Sequence, residues 1–338
     1  MAQGSCSPKS SLLLKRACAV CATTEALSLC SRCHVVAYCG AEHLREHFKT
    51  HKAPCEAVKV ALETCAKEEQ ILHDWPEDDF VMQGDPFEKH VGLFWGYHAT
   101  RDYMRARYAV ANTMVGLIGT YDAADTALGH YLDMLRLCRG DNMGVRHVIP
   151  SLLLRLGRSQ DAYDFIKWWA TVPDSYDWGD VSLPYLDLAG ADIFESVDYI
   201  CGRIPDAQHT VDLTLIKIRL ALDLGELVQA EDDGDAVPAC RSAVSLAVPA
   251  TERANRLEVL GPQIARLISA THAANKHMWK GFFVDTKAHR AAMPPYSSSG
   301  SVSEMQLVVQ KGYPAWDETP GAVDYLKAAV EELGISVM

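Results

Sequence analysis

No run of about eighteen apolar residues occurs anywhere in this 338-residue chain, so no transmembrane helix and no membrane partner are expected. The stretch Met1 to Leu14 holds three consecutive leucines but no longer apolar core, which does not read as a secretory signal. Basic charge is scarce: 32 Lys and Arg stand against 44 Asp and Glu, a net charge of −12. Nucleic-acid binders normally carry a dense basic face, so this balance argues against nucleic acid. Catalytic signatures are missing too. The chain has no Gly-x4-Gly-Lys-Ser/Thr loop, no dinucleotide glycine fingerprint and no His-Glu-x2-His helix. Its scattered histidines, such as His98, His130, His147 and His209, fall on predicted helices without a recognisable partner. They read as ordinary core or surface residues, and the chain is not expected to be an enzyme.

Cysteine, by contrast, is concentrated. Six of the eleven cysteines fall between Cys18 and Cys55. With two histidines they run Cys18-x2-Cys21-x8-Cys30-x2-Cys33-x5-Cys39-x3-His43-x7-His51-x3-Cys55. Zinc takes four thiolate or imidazole donors in a tetrahedron. A knuckle with two intervening residues puts two sulfurs within reach of one ion, and donors four apart on a helix share a face. Eight donors make two closed sites and leave no open position for a substrate water, so two Zn2+ per chain in structural roles are expected. A disulfide framework would leave the histidines unexplained. The cysteine usage points instead to a reducing, intracellular location, nucleus or cytoplasm. Spacing alone permits either interleaved pairing or a sequential set joining Cys18, Cys21, Cys30 and Cys33.

The string Tyr38-Cys39, a donor four residues on, and His51-Lys52-Ala53-Pro54-Cys55 resembles a MYND-type zinc finger. The resemblance implies cross-braced pairing: Cys18, Cys21, Cys39 and His43 on one zinc, and Cys30, Cys33, His51 and Cys55 on the other. Three residues depart from the family pattern. His43 stands where cysteine is usual, raising the charge of its site by one unit. Leu44 and Phe48 stand where glutamine and tryptophan are common, positions that in the family help bind short proline-rich peptides. Leu44 and Phe48 could form an apolar shelf for a protein partner; equally, two apolar residues four apart on the small helix near 42–51 could be its buried face. His47, one helical turn from His43 and His51, is a competing donor. Some relatives of this finger sit inside a lysine-methyltransferase domain. The asparagine-histidine-x-cysteine signature and glycine-rich cofactor loop of that domain are absent.

Residues 1–15 read as a disordered leader, 16–56 as the finger, 57–89 as a helix and linker, and 90–338 as an α-helical body with a loop near 293–303. The linker is placed at the acidic, proline-broken Asp74-Trp75-Pro76-Glu77-Asp78-Asp79. Residues 1–55 hold seven bases against three acids, so a mildly basic finger precedes an acidic body. Val145, Val148, Ile149, Leu152, Leu153 and Leu156 form an apolar helical stripe, with Pro150 expected to bend it. Gly119-x4-Ala124 recurs 38 residues later as Gly157-x4-Ala162, each between two amphipathic helices. This resembles tetratricopeptide-like hairpins. Further helices are expected near 186–202, 211–225, 251–274 and 321–333, an acidic loop at Glu231–Asp235, and a strand at Val302–Val309. The fold class is therefore mostly α: a small two-zinc, cross-braced finger followed by a tetratricopeptide-like helical domain. The expected function is a zinc-binding scaffold whose finger and body each dock a protein. The alternatives are an enzyme with its site in the body, or a transcription-linked regulator acting near nucleic acid.

Overall fold

The computed structural model describes residues 13–202 and 205–336, so most of the expected leader lies outside the described residues. The chain forms two compact units. One comprises Leu14–Leu152 with Val172–Asp187; the other takes in Leu153–Thr171 and the chain from Leu188 onward.

In the first unit, strands β1 (Ser28–Leu29) and β2 (Ala37–Tyr38) pair antiparallel, with Ser28 opposite Tyr38. The chain then enters α1, one helix of 33 residues from Ala41 to His73. The short helix near 42–51 and the helix expected within 57–89 are therefore a single element, and Pro54 lies inside it. Its buried residues are His51, Cys55, Val58, Cys65 and Leu72. These sit three, four or seven apart, one continuous stripe. The stripe packs on α3 (Arg101–Thr113), which buries Tyr103, Met104, Val110 and Ala111. Between them, α2 (Pro86–Lys89) is capped by Asp85, whose carboxylate accepts from Phe87 N at 2.7 Å and meets His73 Nδ1 at 2.6 Å.

A widened turn over Met114–Ile118 leads from α3 to α4 (Tyr121–Leu137). Gly119 between them has φ +67°, a left-handed conformation that glycine adopts without a Cβ clash. Thr120 caps α4 through Ala123 N and donates its hydroxyl to the carbonyl of Val35 in the finger. Arg16 pairs with Asp122 at 2.8 Å. The finger is thus fastened to the start of α4 as well as to α1. The segment 172–187 is held by Arg139, whose guanidinium donates to the carbonyls of Asp180, Val181 and Leu183 at 2.9–3.1 Å.

The apolar stripe from Val145 is interrupted. Val145–His147 form a single 3-10 turn, capped by the buried Asp141 carboxylate on Val145 N and Arg146 N. Helix α5 (Ile149–Arg155) starts only afterwards. Pro150 therefore lies in a first turn, where the missing N–H costs nothing, and it does not bend a longer helix. The boundary between the units falls within α5.

The second unit is helical: α6 (Ser159–Thr171), α7 (Ala207–Asp233), α8 (Ala243–Ala247), α9 (Ala250–Ala274), α10 (Met278–Phe283), α11 (Thr286–Ala291), α12 (Val302–Asp317) and α13 (Ala322–Glu332). Its axis is α7, buried almost all round from Ala207 to Ala221 and packed along α9. Arg219 and Asp223, both buried on α7, are fully engaged. Arg219 donates to Leu154 O, Ala315 O and Thr319 Oγ1 at 2.6–3.2 Å. Asp223 accepts from Arg241 N, Ser242 N and Ser245 Oγ, each at 2.9 Å.

Three expectations fail from residue 186 onward. Val302–Val309 is the start of α12, not a strand. Ser301 Oγ accepts from Glu304 N at 3.1 Å, and the Glu304 carboxylate reaches back to Gly300 N at 2.8 Å, a capping arrangement. Residues 186–202 form turns without a helix. Asp164 draws Gly190 N and Ala191 N inward at 2.8 and 2.9 Å, while Ile193, Val197 and Ile200 anchor the segment in the core. Glu231–Asp233 belong to the last turn of α7, which ends on left-handed Gly234.

Lys217 is fully buried and donates from Nζ to the carbonyl of Ile193 at 2.5 Å. Burial pushes its pKa down from 10.5 to about 7, against the opposing pull of Asp192 and Glu195. The unfolded chain therefore binds one more proton than the folded chain between about pH 7 and 10.5, and stability rises with pH across that window. Lys217→Met removes this dependence. Urea melts at several pH values should show wild type gaining on the variant by up to about 1.4 kcal/mol per pH unit above neutrality. A pH-independent difference would contradict the buried-lysine account.

Candidate metal centre and the adjoining helix face

Both knuckles have the same local geometry. Ala22 N bonds to Cys18 O at 3.0 Å and His34 N to Cys30 O at 2.9 Å. Ala22 and His34 both take a left-handed conformation, φ +57° and +58°. His34 is thus a turn residue and belongs to neither donor group. Cys39 follows β2, and α1 carries the remaining three donors, His43, His51 and Cys55.

The eight donors gather into two groups: Cys18, Cys21, Cys39 and His43; and Cys30, Cys33, His51 and Cys55. Within each group the donor atoms all lie within 4.8 Å of one another. In the first, Cys21 Sγ to Cys39 Sγ is 3.6 Å, Cys18 Sγ to His43 Nδ1 is 3.5 Å and Cys39 Sγ to His43 Nδ1 is 3.0 Å. In the second, Cys30 Sγ to Cys55 Sγ is 3.7 Å and Cys33 Sγ to His51 Nε2 is 3.6 Å. A tetrahedron with Zn–S of about 2.3 Å and Zn–N of about 2.0 Å has edges of about 3.5–3.8 Å. Both sets fit, apart from the somewhat short Cys39–His43 edge, and the pairing is interleaved, not sequential. The chain carries two Cys3His zinc-binding clusters, consistent with two Zn2+.

Zinc needs its thiols as thiolates, and each cluster mixes lowered and raised thiols: against the opposing effect of burial, backbone hydrogen bonds hold Cys18 down to about 6 and lower Cys30. Burial pushes the Cys33 thiol up to about 12, with the Cys30 and Cys55 charges adding to the effect. Burial likewise pushes Cys39 up to about 11, helped by the nearby Cys21 and Cys18 sulfurs. Three adjacent thiols do not ionise together without a compensating dication, so metal binding displaces protons. His47 stays outside both groups. Its Nδ1 meets Tyr38 Oη at 3.0 Å and its ring stacks on His51 at 5.5 Å between centroids, so it braces a ligand and is not one itself.

Residues 18–55 match the family model described as the MYND finger, a module generally used in protein–protein interaction. No curated protein and no solved structure matches the chain.

The two clusters differ in exposure. All four residues of the second are buried, whereas Cys21 in the first is exposed and Cys39 and His43 are half-buried. Leu44 and Phe48 lie one helical turn apart on α1, 37% and 48% exposed. They are not the helix's buried face. On a helix, Arg45, three residues before Phe48, and Lys52, four after it, fall beside this pair, and both are exposed.

Native mass spectrometry should find two zincs in the parent and one in Cys21→Ala, the buried cluster keeping its ion. A mild chelator should strip the parent in two phases, the first matching the ion absent from Cys21→Ala. Loss of both ions at one rate would contradict the difference in exposure.

Proposed function

We propose that this chain is a non-catalytic scaffold whose finger and helical body each dock a protein. The observation that carries the reading is the exposed Leu44–Phe48 pair, set on a helix that two closed zinc clusters hold in place. Four protein donors per ion leave no position for a substrate water, so the metal supplies folding energy and not chemistry. The Leu44–Phe48 shelf takes a short apolar segment of a partner, proline-rich peptides among them, in an intracellular setting, nucleus or cytoplasm. The body serves as the second docking element through tetratricopeptide-like helix pairs. Gly119 and Gly157, both left-handed, each lie between two helices at the expected 38-residue period.

A panel of proline-rich peptides titrated against the chain by fluorescence anisotropy tests the shelf. Phe48→Ala should weaken the tightest peptide at least tenfold while leaving zinc content at two. Truncation of a well-used apolar anchor typically costs above about 1–2 kcal/mol. Equal binding by parent and Phe48→Ala would overturn the shelf.

A further inference from the structure

The most exposed large apolar side chain among the described residues is Phe80, 98% exposed, followed in sequence by Val81 at 75%. They form the tip of a loop that is held firmly in place. The Asp79 carboxylate accepts from Val81 N at 2.9 Å and Met82 N at 2.7 Å. Gly84 N bonds to Pro76 O at 2.9 Å, Lys89 pairs with Glu77 at 2.6 Å, and Met82 is 1% exposed beneath the tip. The side chains at the tip are presented to solvent by a backbone that is already ordered, so ordering it on binding costs little. Acid surrounds the tip: Asp74, Glu77, Asp78 and Asp79 precede it without an intervening base. Asp78 is exposed and has no partner among the described residues.

The complementary surface is on the same chain. Leu44 and Phe48 form an exposed apolar ridge, and Arg45 and Lys52 flank it. Arg45 and Lys52 have no ion-pair partner among the described residues. A phenylalanine tip with an acidic shoulder matches an apolar ridge with a basic shoulder in both character and charge. The two cannot meet within one chain. Phe48 and the end of α1 are separated by roughly 25 residues of unbroken helix, about 38 Å.

We propose that the Phe80 loop of one copy docks on the Leu44–Phe48 ridge of a second copy, reciprocally, giving a two-fold dimer. Each copy supplies one loop and one ridge, the self-complementary pattern of an isologous interface. The proposal rests on the ridge being a docking shelf and names a segment of the chain itself as an occupant.

Sedimentation velocity on the full chain over a concentration series tests it. The parent should self-associate reversibly to a dimer, more weakly as salt rises, since the shoulders are exposed charges. Phe80→Asp and Phe48→Asp should each weaken dimerisation at least tenfold, with helicity and a zinc content of two unchanged. Mixed in equal amounts, the two variants should associate again in part, because one intact loop then meets one intact ridge. A parent that stays monomeric at all concentrations overturns the proposal. So does a dimer that survives Phe80→Asp, or variants that do not rescue each other. Titration of Phe80→Asp with the proline-rich panel separates the two readings. Peptide binding by this variant with no parent dimer leaves the shelf standing and removes only the self-docking.

Discussion

One helix face does two jobs. Along α1 the stripe that begins with His51 and Cys55, ligands of the buried zinc cluster, continues as Val58, Cys65 and Leu72, which form the core against α3. The periodicity does not change where the metal chemistry ends and the apolar packing begins. Helix α1 therefore cannot satisfy its zinc donors without also setting the register in which it meets α3, and the same holds in reverse. Metal binding and burial of the first unit's core are consequences of one helix orientation.

This coupling answers a size problem. A segment of 38 residues has little interior, and small domains rarely stand without staples. Two zinc ions are one remedy. The other is contact with a neighbouring helix: Val35, Val36, Ala37 and Tyr38 are buried, and the carbonyl of Val35 accepts the Thr120 hydroxyl at the start of α4. The finger is held from inside by metal and from outside by helices, which leaves its exposed helix face, Leu44 to Lys52, rigid. A rigid apolar ridge beside bases suits recognition of an extended segment better than a mobile one, because less order has to be created on binding.

The ligand set was legible because zinc chemistry restricts both residue type and spacing, and each close pair in the sequence became a pair of edges in a cluster. The interleaved pairing was not legible from spacing; it came from the family resemblance and is present in the donor geometry. The continuity of α1 was hidden by Pro54 and by reading Cys55 as the end of a module, although the seven-residue recurrence of Val58, Cys65 and Leu72 was in the sequence. The helix at Val302 was missed for a different reason. β-branched residues at 302, 308 and 309 suggested a strand, while the stronger local signal, Ser301 three residues before Glu304, marked a helix start. The absence of helix over 186–202 was not readable at all. It depends on Asp164, in a distant helix, capturing two backbone N–H groups.

Hydrogen exchange before and after zinc removal tests the coupling most directly. If α1 ties metal to core, chelation will lower protection not only over 18–55 but also along Val58–Leu72 and in α3 around Val110. The second unit, Leu188 onward, will keep its protection. Loss confined to 18–55, with Val58–Leu72 and α3 unchanged, would contradict the account and make the finger an independent module.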